Sequence, residues 1–464
     1  MIPPYSRVVA FDDNVDHLQK ITWGLGRAGF CAIPFLFEDG RLEAPPPKPL
    51  SGVRVVFTDI HMVGGAQVNP RVHAANIIRC LKSVVGAGPY ALVFWSRFPD
   101  DAEVIANLIR DRMAESELPA PVGFTAIDKN LVMRDPGENN EGGFDAQRLR
   151  DLIVEQLRPF KTLAVALSWE DRAARAAART TERLYELVRK SGNPPDDWEK
   201  LLAFLAYEAV GANANADLIS ALDSALLPLL EDQLTIIGHD VLPEGDDVQS
   251  LAALVADGRR PSRPDAVAVA RLNSSYLIEE LSQPNTANSW GRGIVTELGP
   301  NFVNSGEFVR AFGCDGAVLI RQEFATRDLN DDERREVKLQ LVELGPECDH
   351  VQSKISTHRY LLGLLVPSSL IGAFTGQPRE QKKQSSKVTL RNDSVIDIGK
   401  IAFAQTPDES WHLLVSCRCF MALAAKTSVK GKPRFRLRRT TLEELAHRYA
   451  THARRPGVMR FHEN

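Results

Sequence analysis

Four short apolar segments in the first 130 residues each lead into side chains that can handle charge. Asp12 and Asp13 follow RVVAF, Asp59 sits in FTDIHM, Ser96 closes LVFWS and Lys129 closes FTAIDK. Three carboxylates brought together repel one another and call for a divalent cation. An all-oxygen donor set suits Mg²⁺, which keeps several waters and so leaves positions for phosphate oxygens. A carboxylate beside such an ion can attack phosphorus and become an acyl phosphate. The protein then has only to position groups and neutralise charge. Lys129 would offer a compact positive charge to phosphoryl oxygens, and the Ser96 hydroxyl a hydrogen bond. Taken singly, these residues are also ordinary helix caps and loop polar groups; only the ordered set is specific.

For the set to converge, its segments must be parallel strands whose carboxyl ends meet at one edge of a sheet, where such folds bind ligands. Arg7–Phe11, Cys31–Phe37, Val53–Phe57, Leu92–Trp95 and Val122–Ile127 have the apolar character of buried strands. Helical signals separate most of them. Val15, Leu18, Ile21 and Leu25 recur at helical spacing before Gly29, Asn69–Pro70 reads as a cap and first helical residue, a helix starts near Asp100, and Phe144–Leu157 is amphipathic. Between the second and third strands lies a proline-rich run, APPPKP over 44–49. Strands alternating with helices predict an α/β fold with a doubly wound, five-stranded parallel sheet.

Over about the first third of the chain, the ordered acids, hydroxyl and amine resemble the receiver domains of bacterial response regulators, which have a flavodoxin-like fold. The resemblance implies that Asp12, Asp13 and Asp59 hold Mg²⁺ with the backbone carbonyl of His61, and that Asp59 is the phosphoacceptor. It gives Ser96 the switch-hydroxyl role, Lys129 the invariant-lysine role, and a cognate histidine kinase as partner. The sequence departs from the family at four places. Asn130 and Val63 stand where prolines are usual, Ala126 replaces the aromatic switch residue, and Arg97 replaces a small residue. Without that ring, the usual serine–aromatic coupling to an output face is not secured. Bulky Arg97 and His61 beside the pocket predict slow loss of the phosphoryl group from Asp59.

The 464 residues allow two or three domains at roughly 150 residues each. With 44% hydrophobic and 25% charged residues the composition is that of a soluble globular protein. A formal charge of -4 gives no whole-chain attraction to nucleic acid or anionic lipid. Six cysteines make no disulfide framework and fit a reducing compartment. The N-terminus lacks the basic region of a signal peptide, and the most apolar stretch, Tyr360–Phe374, is interrupted by Pro367, Ser368 and Ser369. It is too short for a ~30 Å bilayer core. A cytoplasmic protein with no membrane partner is expected, organised as 1–158 (receiver), 159–238 (helical linker) and 239–464 (α+β).

In the linker, Ser168 and Asp171 resemble a capping box opening an alanine-rich helix that Asn193-Pro194-Pro195 ends. Trp198, Leu201, Leu202 and Leu205 mark a second helix, and Leu218, Leu222 and Leu226 a third. Beyond it, Ala317–Ile320, Val395–Ile398 and Leu413–Cys417 read as strands, Asp332–Leu344 and Thr441–Ala453 as helices, and Gln377–Lys387 as a loop.

No P-loop, dinucleotide glycine pattern, nucleophile elbow or zinc-finger spacing is present in the C-terminal region. Three features remain there. Glu347-Cys348-Asp349-His350, with Gln352 and Lys354, follows Gly345-Pro346 and reads as a polar turn, or alternatively as a small site using Cys348, Asp349 and His358. Cys417 and Cys419 would share a strand face but lack two further zinc ligands, so core cysteines are expected. Arg434, Arg436 and Arg438 would also share a face, with Arg448, Arg454, Arg455 and Arg460 beyond, either a solvated face pairing with the acidic middle segment or a surface binding phosphates. Arg455–Phe461 reads as a turn and a short final strand.

The whole chain also resembles accessory receiver proteins of Detocs-type phage-defence two-component systems, which implies a phosphate buffer restraining a toxic effector. Three functions are therefore in view. One is a phosphoryl-accepting regulator serving an effector or a second response regulator. The others are a response regulator with a nucleic-acid-binding basic domain, and an enzymatic effector using the 347–358 cluster. A homodimer is left open.

Overall fold

Alternation along the first strand sets the N-terminal architecture. In this computed structural model β1 (Val8–Asp12) sends Val8 and Ala10 into one buried cluster and Val9 and Phe11 into another. A strand buried on both faces belongs in the middle of a helix-covered parallel sheet. The structure describes residues 7–27, 29–63, 69–114, 120–133, 145–215, 217–237, 264–281, 291–346, 349–350, 354–375, 390, 392–425, 427, 429 and 431–454. These divide into two compact units, 7–187 with 229–237, and 188–228 with 264–454.

In the first unit β2 (Ala32–Glu38), β4 (Val55–Thr58), β5 (Ala91–Ser96) and β6 (Gly123–Asp128) join β1 in parallel, in the order β2-β1-β4-β5-β6. Helices α1 (Val15–Arg27) and α4 (Ala146–Leu157) cover the face of Val8, Phe57 and Trp95. Helices α2 (Pro70–Val84) and α3 (Ala102–Ala114) cover the face of Phe11, Val56 and Phe94. Burying each such large apolar side chain is worth about 1.5–3 kcal/mol. Those terms outweigh the helix-propensity differences of at most ~0.7 kcal/mol between ordinary residues. The Asn69 side chain accepts the Arg71 N–H and Pro70 opens α2, as the sequence predicts.

The sheet has a sixth strand that the sequence reading omits. β3 (Arg41–Leu42) pairs antiparallel with the end of β2. Asp39 (φ 50°) and Gly40 (φ 76°) make the hairpin turn, and Asp-Gly is the residue pair that tolerates two positive φ values. The crossover from β2 to β4 contains no helix, and the proline-rich run lies in it.

The middle of the chain is helical, with α5 (Lys161–Val188), α6 (Pro194–Val210) and α7 (Leu218–Ile237). Ser168 is not a cap: α5 starts a full two turns earlier, so the Ser168/Asp171 pattern is interior. Within the first unit Arg54 Nε and Nη2 hold Glu170 Oε1 of α5 at 3.0 and 2.7 Å.

The second unit is built on a seven-stranded antiparallel sheet. It comprises β7 (Ile278–Glu280), β8 (Ile294–Leu298), β9 (Lys338–Glu343), β10 (Thr357–Pro367), β11 (Val395–Phe403), β12 (Thr406–Ala424) and β13 (Gly431–Leu437). The order is β11-β12-β10-β9-β8-β13-β7. Tyr360, Leu362 and Leu364 face a cluster with Phe302, Phe308 and Phe324, while Leu361, Leu365 and Leu413 face one with Leu442 and Leu445 of the helix Arg439–Ala453.

Two segments fold differently from what their sequence predicts. Ala317–Ile320 is helical, because Asp315 caps Val318 N–H and the turn runs on through Phe324. Asp332–Leu344 is helical only through Glu336, and β9 begins at Lys338. The charged DDERRE forms one capped turn, whereas Leu339 and Leu341 bury in a sheet whose neighbours supply the pairing. Among the described residues no helix is long and apolar enough to cross a membrane. Cys348, Gln377–Lys387 and Arg455–Phe461 lie outside the described residues.

Candidate functional site

The carboxyl edge of the parallel sheet collects the charged residues that the sequence singles out. Asp12 ends β1, Asp59 follows β4, Ser96 ends β5 and Lys129 follows β6. Lys129 is buried, and its Nζ lies 2.8 Å from Asp12 Oδ2 and 2.6 Å from Asp59 Oδ2. One ammonium thus bridges two carboxylates that would otherwise repel each other in a poorly solvated pocket.

Backbone geometry fixes both acids. Asp59 N–H donates to Phe11 O at 3.0 Å, continuing the β1–β4 pairing, and Asp59 Oδ1 accepts the N–H of Ile60 at 2.7 Å and of His61 at 3.4 Å. Asp12 Oδ1 accepts Asn14 N–H at 3.0 Å. Burial outweighs the stabilising charge of Lys129 and, with the negative charge of Asp59, pushes the Asp12 carboxyl up to about 7. Asp13 stands on the solvent side, and partial burial followed by the Asp59 charge raises its carboxyl as well.

A raised carboxyl makes the sign of one pH effect unambiguous. The folded state holds the Asp12 proton more tightly than the unfolded chain, so this contribution to stability is full below pH 4 and lost as pH rises through about 7. Urea titrations without divalent cations should show wild type losing stability relative to Asp12→Asn between about pH 4 and pH 7. Parallel curves for the two proteins would contradict that assignment.

The sequence reading missed His17. It lies in the first turn of α1, with Nδ1 3.4 Å from Lys129 Nζ and 3.9 Å from Asp12 Oδ1. Burial, then the charges of Lys129 and Arg97, push its pKa down, which favours a neutral ring able to accept from the lysine. The available signal was its position one turn beyond the acidic pair. Asp12, His17 and Asp59 offer ligand atoms within 4.8 Å of one another. The Asp12 and Asp59 oxygens, with nearby Asp13, fit the hard-cation preference of Mg²⁺, and the His17 nitrogen adds a donor that softer divalent ions use.

The remaining predicted residues take up separate contacts. Ser96 is buried and its Oγ accepts Phe98 N–H at 3.3 Å. The His61 imidazole is fastened outside the acid cluster: Nε2 lies 3.0 Å from Asp101 Oδ2, and the ring meets Phe98 and His73 edge-on at 5.2 and 4.8 Å. Arg97 is exposed, near enough for its charge to act on His17.

In the second unit the arginine-rich strand is paired with glutamates of the adjacent strands β7 and β8, not with the middle segment. Arg434 meets Glu297 at 3.5 Å and Arg436 meets Glu279 at 4.0 Å, while Arg439 and Arg448 hold Glu443 and Glu444 one turn away on their own helix. Cys417 is buried and Cys419 partly so, with its thiol pushed up by burial.

No family model matches the sequence, and no curated protein matches it. Among solved structures the chain is similar to full-length FixJ from B. japonicum, at 16% identity, over 51% of this chain and 98% of that one, with a TM-score of 0.21.

Proposed function

We propose that residues 1–158 form a receiver that accepts a phosphoryl group on Asp59 with Mg²⁺ bound, in a two-component signalling protein. The observation that carries this reading is the Lys129 ammonium held between Asp12 and Asp59 at the carboxyl edge of a parallel sheet. Asp12, Asp13 and Asp59 would hold the ion, with the His61 carbonyl as a further ligand. Bound there, Mg²⁺ would neutralise charge on the phosphoryl oxygens.

The chain's own groups divide the work. Asp59 Oδ1, pinned by two backbone N–H groups, becomes the carbonyl oxygen of the acyl phosphate, and Oδ2 forms the new P–O bond. The donor's P–N bond breaks as that bond forms, and the leaving imidazole nitrogen of a histidine kinase keeps the electron pair. Lys129 then follows from Asp59 Oδ2 onto the phosphoryl oxygens, a transfer its contact with both acids allows. Ser96, freed from Phe98 N–H, donates to the same group. Incubation with acetyl phosphate and Mg²⁺ should add the mass of one phosphoryl group to the intact protein. An unlabelled wild-type protein would end the reading.

The phosphorylated state should be long-lived. Arg97 is exposed and near enough for its charge to act on His17, and the His61 ring is held by its contacts with Asp101 and Phe98. Two bulky side chains near the pocket would hinder an attacking water. Purified phosphoprotein should decay slowly and Arg97→Ala faster; decay of wild type within a few minutes would contradict this. Slow decay suits a cytoplasmic phosphate buffer fed by a histidine kinase, the role implied by the likeness to phage-defence receiver proteins, rather than rapid relay to an effector.

A further inference from the structure

A second polar cluster lies in the other unit, on the strands β9 and β10. Glu343 ends β9 and pairs directly with Tyr360 of β10, so its side chain shares a sheet face with Tyr360 and His358. His350, from the turn that follows, brings Nε2 to 3.0 Å from Glu343 Oε2, while His358 Nδ1 lies 3.7 Å from Glu343 Oε1. One ligand atom from each residue falls within 4.8 Å of the others. Glu343 and His358 are buried and His350 is half-buried.

A buried carboxylate needs a compensating charge. No lysine or arginine pairs with Glu343 among the described residues; its ion-pair partners are the two imidazoles. Two further residues close in on the triad. A Cβ at Gly345 would meet Glu343 Oε1 at 2.6 Å and His350 Nε2 at 2.8 Å, so any larger residue there must displace two of the three groups. Tyr360, also buried, has a hydroxyl with no hydrogen-bond partner among the described residues, and its ring lies 6.0 Å from that of His358.

We propose that Glu343, His350 and His358 bind a divalent transition-metal ion, zinc above others, with a fourth coordination position left for water or another ligand. Two imidazoles and one carboxylate form a known zinc donor set, and at metal–ligand distances near 2.0–2.1 Å neighbouring donors of a tetrahedron lie about 3.3 Å apart. The observed separations, 3.0 Å to Oε2 and 3.7 Å to Oε1, bracket that value, so the carboxylate presents one oxygen to each imidazole. Thiolate ligands are not required. The Gly345 N–H, donating to Glu343 Oε1 at 2.9 Å, orients the carboxylate, as outer hydrogen bonds do at metal sites.

The test uses the full-length protein, stripped with a chelator and titrated with Zn²⁺ alone against a chromophoric competitor, in Mg²⁺ buffer on an Asp59→Asn background. That background separates the site from the pocket of Asp12 and His17. One Zn²⁺ should bind, raise the melting temperature, and be lost in His350→Ala and Glu343→Gln with more than about 100-fold weaker affinity. Gly345→Ala should weaken binding similarly while leaving all three ligands in place. Since His350 is half-buried, His350→Ala should retain the wild-type circular dichroism spectrum and serves where a core substitution unfolds. Zinc binding that all three variants share with the parent, or no zinc bound by the parent, overturns the proposal. Phosphoryl labelling of the same variants on the native Asp59 background is unaffected either way.

Discussion

Asp59→Asn should take up no phosphoryl group from acetyl phosphate in the presence of Mg²⁺, whereas wild type gains one. The substitution is nearly isosteric: the amide oxygen still accepts from Ile60 N–H, while the amide NH2 replaces the Oδ2 that accepted from Lys129, which keeps its bond to Asp12. Folding is thus conserved while the anionic nucleophile is removed, because an amide is far less nucleophilic than a carboxylate. Intact-mass measurement reads the result directly, and EDTA should suppress wild-type labelling to the level of the variant. A variant that still labels would place the acceptor on another residue. The phage-defence setting and the kinase partner would then lose their chemical basis.

Lys129→Ala is expected to cost the first unit about 3–5 kcal/mol, the range for breaking a buried ion pair by removing one partner. The lysine is the charge that lies between Asp12 and Asp59, both anchored by backbone hydrogen bonds and unable to separate without disturbing the strand ends. Added Mg²⁺ should return part of that loss, since a divalent ion bound to the acids substitutes for the missing ammonium and stabilises the folded state by mass action. Urea denaturation with and without Mg²⁺ separates the two effects. A loss below about 1 kcal/mol in the absence of Mg²⁺, the level of an exposed pair, would mean that the acids relax apart and that the pocket is not preorganised.

The two units differ in how far their sequence can be read. In the first, every strand that carries a site residue is a short apolar run of its own, and the acids, hydroxyl and amine stand at the ends of those runs. Parallel α/β units are assembled from local periodicities of 2 and 3.6, so the order of charged residues along the chain maps onto one edge of the sheet. The Asp39-Gly40 hairpin carries the same local signal, a two-residue turn pair between two strands.

What sequence alone determined, then, was the alternating α/β framework, the presence of Asp12, Asp13, Asp59, Ser96 and Lys129 at strand ends, and the helices of the middle segment. Tertiary structure decided the rest. It turned His17 toward Lys129, fastened His61 to Asp101 and paired Arg434 and Arg436 with glutamates on neighbouring strands. It made Lys338–Glu343 a strand inside a segment that reads as helix in sequence, and through that strand's register with β10 it set Glu343 beside His350 and His358. The physical reason is that antiparallel pairing and side-chain charge neutralisation depend on partners distant in the chain. No local period records which strand will be adjacent, and a one-residue change of register would turn each of these side chains to the opposite face.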